Sequence, residues 1–238
     1  MGGSVAGGTV YVVSTPIGNL EDITRRAARV LGEVDLIAAE DTRKSGLLLK
    51  HLGIRKPLVS YYSYNETRRV ESLLVELRAG KSVALITDAG TPGISDPAFV
   101  LIRGAIAAGI PVVPIPGPTA LVPALIMSGL PMDRFLFEGF LPAKKGRRGR
   151  IEALAREERT VVFYESPHRI ARTLQEIHDC WGDRPAALSR EITKAFEETL
   201  RGTLSEILQQ VSGKNVKGEI VLVVGGSAVR KKQETDQR

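Results

Sequence analysis

Residues 85–97, LITDAGTPGISDP, decide how this chain is read. Val83, Ala84, Leu85 and Ile86 form the continuous apolar run of a parallel strand buried on both faces. The run breaks into a loop holding Gly90, Pro92 and Gly93. Asp96 then supplies an N-cap and Pro97 a first-turn proline, opening a helix whose Phe99, Ile102 and Ile106 share one face. A strand, a Gly/Pro loop and a capped helix build a ligand-binding edge outside the carboxyl ends of an open α/β sheet. Any βα turn can contain Gly and Pro, but one this long that also carries Asp88, Thr91, Ser95 and Asp96 is more than a connector.

A chain of 238 residues, 43% of them hydrophobic, can bury a full core as one large α/β domain or two small ones. No apolar run approaches the roughly 20 residues of a membrane span. The start, MGGSVAGG, has neither a basic nor an apolar signal region and reads as a flexible leader. One cysteine, Cys180, excludes an internal disulfide. With only His51, His168 and His178 beside it, and no ligand spacing among them, the sequence argues against a zinc site. These features point to the cytoplasm. The net charge of +6 suits a polyanionic partner such as RNA, although many basic proteins bind none. Lys144, Lys145, Arg147, Arg148 and Arg150 crowd one segment, where phosphate contact competes with a merely solvated helix face. Arg230, Lys231 and Lys232 begin a polar tail that reads as disordered.

Outward from residues 85–97, strands are expected at 9–14, 35–39, 58–62 and 111–115. Between them lie helices, one carrying Ile23, Ala27, Val30 and Leu31, one Leu47, Leu48, Leu49 and Leu52, and a third at 66–77. Strands alternating with helices imply βαβ units and a mainly parallel sheet. An apolar, buried helix is expected at 119–127. Strands follow at 135–140 and 160–164, with helices from the basic segment to about 158 and over 167–177. Strands at 186–190, 197–200 and 220–224 close the chain, with mixed, partly antiparallel pairing. The division is a leader at 1–8, α/β domains at 9–120 and 121–226 with a cleft between them, and a tail at 227–238.

The usual nucleotide fingerprints are missing: there is no G-x-x-x-x-G-K-[ST] loop, no G-x-G-x-x-G after the first strand and no G-x-S-x-G. What remains is a set of strand-end loops dense in Pro, Gly, carboxylates and hydroxyls. PIGNLEDIT, AEDTR, DAGTPGISDP, PGPTA, EGFLP, FYESPHR, RE-I-TK-FEE and KGE, in this order from about Thr9 to Gly226, closely resemble the tetrapyrrole-methylase superfamily. These are class III S-adenosylmethionine-dependent methyltransferases. Within them the chain is most similar to the branch that 2′-O-methylates a cytidine in the decoding region of small-subunit (16S) rRNA. The resemblance implies a two-domain α/β homodimer, with S-adenosylmethionine in the cleft between the domains and the 30S ribosomal subunit as partner. Carried onto this sequence, it marks Pro16 in the first loop and Asp88, Gly90, Thr91, Ile94, Ser95 and Asp96 in the central loop as cofactor-contacting positions. Thr119 and Ala120 match the adenine-side turn, and Tyr164 and Glu165 the second-domain wall. Two places depart from the pattern: Ala98 stands where a glycine is expected after SDP, and Tyr62 and Tyr64 where histidines are expected. Tyrosines there could still stack on a base.

A sulfonium methyl is already activated, so the enzyme's task is to align donor and acceptor. A ribose hydroxyl is a poor nucleophile and calls for a base or polarising cation beside it, help typically worth about 100-fold or more. The candidates are Glu40, Asp41 and Arg43 in the second loop, Glu165 in FYESPHR, whose desolvation at a strand end could raise its basicity, and Lys194 with Glu197 in ITKAFEE. Glu40 and Asp41 are explained about as well by capping the helix after them. Lys194 and Glu197 could be a surface ion pair, and His168 is more often structural than catalytic. A small-molecule methylase on the same fold and a non-catalytic RNA-binding protein stay open as alternatives.

Overall fold

The computed structural model describes residues 4–61, 66–96 and 98–227, and the chain divides into compact units at Thr119/Ala120. Tyr62, Tyr64, Pro97 and the basic tail lie outside the described residues.

The first unit is a five-stranded, all-parallel sheet of β1 (Val10–Val13), β2 (Leu36–Ala39), β3 (Leu58–Ser60), β4 (Val83–Ile86) and β5 (Val112–Ile115), in the order β3-β2-β4-β1-β5. Side chains alternate across it as the two-residue period requires. Val10, Val12, Val83 and Leu85 face α3 (Glu66–Arg78) and α4 (Ala98–Ala107). Tyr11, Val13, Ala84 and Ile86 face α1 (Arg25–Glu33) and α2 (Thr42–His51). The adjacent strands β1 and β4 therefore hand the chain to opposite faces of the sheet, β1 to α1 and β4 to α4. In open sheets such a switch point is where ligands bind, in the crevice outside the carboxyl ends of the strands.

The face of α4 differs from expectation. Phe99 and Ile106 are 61% and 64% exposed, while Ala98, Leu101 and Ala105 are buried and Ile102 packs beside them. This helix (AFVLIRGAIA) is apolar nearly all round, so periodicity does not select a side. The small residues do: a Cβ on Gly104 would lie 3.2 Å from Val70 Cγ1, which is how closely α4 sits on α3.

The second unit is a sheet of β6 (Phe135–Phe140), β7 (Thr160–Glu165), β8 (Pro185–Arg190), β9 (Glu198–Thr203) and β10 (Ile220–Val224), ordered β6-β7-β10-β8-β9. β6 and β7 run parallel and the other pairs antiparallel, the mixed pairing expected. One face is covered by α6 (Arg147–Leu154), α7 (Ile170–Trp181) and α8 (Leu204–Val211), which bury Ile151, Leu174, Ile177 and Ile207 against Phe163, Leu188 and Leu222. α5 (Leu121–Ser128) packs on β8 and β10. It is not wholly buried as expected: Ala124 and Leu125 face inward, and Val122 and Ile126 are 45% and 59% exposed. α7 starts at Ile170 and not at Pro167, because residues 166–169 first form a turn closed by Arg169 N donating to Ser166 O. Helix α8 has no counterpart in the sequence expectation, although its signal is plain. Thr203 and Glu206 form a complete capping box ahead of Leu204, Ile207 and Val211.

Candidate functional site

In the first unit the loops after β1, β4 and β5 are laced together at the crevice. Thr15 and Gly90 exchange backbone hydrogen bonds of 2.9 and 3.0 Å. Ser14 Oγ lies 2.9 Å from Thr91 Oγ1, which donates to Pro118 O at 3.0 Å, and Thr15 Oγ1 donates to Thr87 O at 3.2 Å. Glycine is required where the loops cross. A Cβ on Gly117 would stand 2.8 Å from Ser14 Cβ; Gly90 has φ +83°, and its Cβ would lie 3.3 Å from Ile17. Pro16 and Gly90 are buried and Thr91 is half-buried, so these shape the loops, whereas Ala89, Ile94 and Ser95 are exposed at the rim. Thr119 and Ala120, half-buried, follow the β5 loop.

Carboxylates dominate this rim. Glu40 accepts the Thr87 hydroxyl at 2.6 Å. Asp88 accepts Asp41 N at 3.1 Å and Lys44 Nζ at 2.6 Å, joining the second loop to the central one. Asp41 caps α2, accepting Arg43 N at 2.8 Å and pairing with the Arg43 guanidinium at 3.0 Å; these contacts, the side chain's first, hold its carboxyl at about 2. Asp96 accepts Gly93 N at 2.9 Å and Ala98 N at 3.0 Å, the capping role read from the sequence. Burial raises its carboxyl above the ordinary value, against the two N–H donors that favour the ionised form. Four carboxylates thus face two cations, Arg43 and Lys44. The rim suits a cationic, hydroxyl-bearing ligand and repels a phosphate.

In the second unit Glu165 is fully engaged. Its side chain is 1% exposed; Oε1 accepts Ser166 N at 2.7 Å and Arg169 Nη2 at 2.7 Å, and Oε2 accepts Thr173 Oγ1 at 2.6 Å with Arg147 Nη1 at 3.7 Å. Arg147 also donates to Thr173 Oγ1 and to Glu176, each at 2.6 Å. This is an internal anchor of α6 and α7 on β7. Neighbouring Tyr164 packs edge-on against Phe137 and Phe140, with centroids 5.0 and 5.7 Å away. The basic run is accordingly not one solvated or phosphate-facing stripe. Arg147 is 2% exposed, and Arg148 and Arg150 pair with Glu152 and Glu138.

Lys194 lies in a tight turn and not in a helix, with Glu197 N donating to Lys194 O at 3.1 Å. Its Nζ donates to Glu191 Oε1 and Glu219 Oε2, both at 2.9 Å. Burial works against its charge, but the two carboxylates outweigh burial and hold the ammonium above the ordinary lysine value. Glu191 and Thr193 have φ of +50° and +69°, left-handed values that cost non-glycine residues on the order of 1 kcal/mol or more each. The turn is held by Glu191 N donating to Glu219 O and Lys194 N to Glu191 O. Gly218, φ +93°, has no room for a Cβ beside the Glu191 side chain. Glu191 and Glu219 escaped the choice of candidates; RE-I-TK and KGE carry them, but only pairing across β8 and β10 brings them together.

Residues 9–208 match the tetrapyrrole (corrin/porphyrin) methylases. The chain is 52% identical over 235 residues to "Ribosomal RNA small subunit methyltransferase I" of Pasteurella multocida (strain Pm70), covering 97% of this chain and 82% of that one. It is 50% identical over 233 residues to the protein of the same name from Escherichia coli O157:H7, covering 96% and 80%. Its fold is similar, at a TM-score of 0.64 and 21% identity over 94% of this chain and 99% of the other, to a uroporphyrin-III C-methyltransferase from Thermus thermophilus complexed with S-adenyl homocysteine.

Proposed function

This chain belongs to the tetrapyrrole (corrin/porphyrin) methylase family, and from that premise we propose that it is an S-adenosylmethionine-dependent methyltransferase of small-subunit rRNA whose acceptor is a cytidine ribose 2′-hydroxyl. The observation that carries this reading is identity of about half of all positions, spread over nearly the whole chain, with small-subunit rRNA methyltransferases.

The crevice of the first unit fits the cofactor by its donor set. Its excess of carboxylates complements a ligand bearing a sulfonium, an ammonium and a ribose diol. Bound there, S-adenosylmethionine would supply an activated methyl group. Ile94 and Ser95, exposed at the rim, would contact the cofactor; Pro16, Gly90 and Thr91 hold the loops in place; Asp88 and Asp96 set the negative field; Thr119 and Ala120 follow the β5 loop. Glu40 and Asp41 are engaged by Thr87 and by the α2 N-terminus and act through that field. Arg43, its side chain 91% exposed, is paired with Asp41 at 3.0 Å and offsets part of that field.

For the acceptor, the structure favours Lys194 over Glu165. Both oxygens of Glu165 are occupied in a buried network. Lys194 stays an ammonium at neutral pH, so its role is electrostatic: it orients the ribose hydroxyl and stabilises the developing oxyanion. Glu219, exposed and hydrogen-bonded to Lys194, is the carboxylate of this turn open to receive the hydroxyl proton. The substrate is the 30S particle and the site of action the cytoplasm. No helix among the described residues is long and apolar enough to cross a membrane. The active form is a homodimer, for which the outer face of α4, with Phe99 and Ile106, offers an apolar surface.

The test is single-turnover transfer of labelled methyl to 30S particles, with nucleoside mass spectrometry of the product. Wild type should yield 2′-O-methylcytidine. Lys194→Ala should be at least about tenfold slower, or roughly 1.4 kcal/mol in barrier height, with cofactor affinity within about threefold of wild type. Transfer to free porphyrinoids and not to 30S would overturn the substrate. A wild-type rate for Lys194→Ala would overturn the residue's role.

A further inference from the structure

A groove of about 700 Å³ opens in the second unit at the edge of its sheet, between β8, β9, the end of α8 and the residues leading into β10. Its volume is within the range of small-ligand sites. Leu200, Val211 and Val216 supply an apolar floor, and beside it Phe196 is 75% exposed. Burying a phenyl ring is among the larger apolar gains open to a folding chain, so a ring left out beside an apolar floor marks a contact surface.

The charges around the groove are unequal in their freedom. Arg190 pairs with Glu198 at 2.6 Å, and Glu191 with Lys194 at 2.9 Å. Lys214 and Lys217, both exposed, have no ion-pair partner among the described residues, and Asn215 stands between them with its amide exposed. Lys217 precedes Gly218, which closes against Glu191 of the separate 191–194 turn that carries Lys194.

We propose that this groove holds an unpaired nucleotide of the RNA substrate, the base stacked on Phe196 and the flanking phosphates on Lys214 and Lys217. The proposal rests on the rRNA methyltransferase reading. An exposed aromatic flanked by unpaired cations is how proteins take single-stranded RNA: the ring accepts any base face and the cations follow the backbone. A second copy of this chain, itself at +6, would bring more positive charge to lysines that have no ion-pair partner among the described residues, so charge complementarity selects the polyanion. The groove shares the Glu191–Lys194 turn, so a nucleotide seated there tethers the substrate beside Lys194.

The experiment measures binding of a labelled single-stranded oligonucleotide from small-subunit rRNA to the full chain across a salt series, alongside calorimetry with S-adenosylmethionine. Phe196→Ala and Phe196→Leu should each weaken RNA binding about tenfold, and Phe196→Trp should keep it, because stacking and not bulk hydrophobicity is at stake. Replacing Lys214 and Lys217 together by Gln should lower the salt slope by about 1.4, at ~0.7 per phosphate contact on a single strand. Cofactor affinity should not move. RNA affinity at the wild-type level in Phe196→Leu with an unchanged slope in the lysine variant, in a protein that still methylates 30S, would overturn the groove and leave the enzymatic reading standing. A wild-type protein that methylates no rRNA would overturn that reading first. Loss of an oligomer on Phe196→Ala, with RNA affinity intact, would assign the groove to a second copy and overturn the proposal.

Discussion

Replacing Glu165 by Gln separates an anchor from a catalytic base. The substitution keeps the shape and removes the charge facing Arg147 and Arg169, and it puts an amide donor where Oε2 now accepts the Thr173 hydroxyl. Removing one member of a buried ion pair costs roughly 3–5 kcal/mol, because the partner charge is left desolvated. Two features place this site at the lower end. Arg147 keeps Glu176 at 2.6 Å, and Arg169 is 27% exposed and can reach water. The expected loss is therefore about 3 kcal/mol, which for a unit of this size lowers the melting temperature by on the order of 10 °C. Thermal and urea unfolding of the full chain measure it, with single-turnover methyl transfer well below the melting point as the second readout. The folded variant should transfer methyl within about threefold of wild type, since the carboxylate is buried and each of its oxygens already accepts a hydrogen bond. A melting temperature within a degree or so of wild type, together with a rate loss of about 100-fold, would refute the anchor and restore Glu165 as the base.

Two further expectations concern the crevice of the first unit. Asp88→Ala should weaken S-adenosylmethionine binding by about 1–3 kcal/mol, the usual loss for a hydrogen bond to a charged group, and calorimetry finding unchanged affinity would remove Asp88 from the site. Asp41 should titrate at about 2 in a carboxyl NMR experiment; because this is below its ordinary 3.8, its contribution to stability is complete above that value and is lost as pH falls through about 2. A midpoint near 3.8 would mean that the α2 cap does not form in solution.

Legibility followed the range over which each feature is determined. The capping roles of Asp41 and Asp96 were readable because a carboxylate two residues before a free N–H is a local arrangement. The α8 capping box was equally local and equally readable, in T-x-x-E at 203–206. What engages Glu165 is something the sequence cannot supply. Its strand-end position was apparent, but the groups that occupy its oxygens come from residues 147, 169 and 173, brought together by the packing of α6 and α7 on β7. Arg147 was misplaced in the same way: in sequence it is one cation among five, and in the fold it alone turns inward to the glutamates.

By itself the sequence determined the α/β class, the parallel first sheet, the loops that meet at its carboxyl edge and the family. Continuous apolar strands, Gly/Pro loops and helix caps are set by residues adjacent in the chain, and the motifs keep their order whatever the packing. Tertiary structure alone decided which chemical groups in those motifs remain available. Glu165 and Arg147 neutralise each other in the interior, Asp88 is tied to Lys44, and Glu191 and Glu219, 28 residues apart, close on Lys194 across paired strands. A carboxylate's chemistry depends on what touches its oxygens, and those neighbours arrive from distant segments only when the chain has folded.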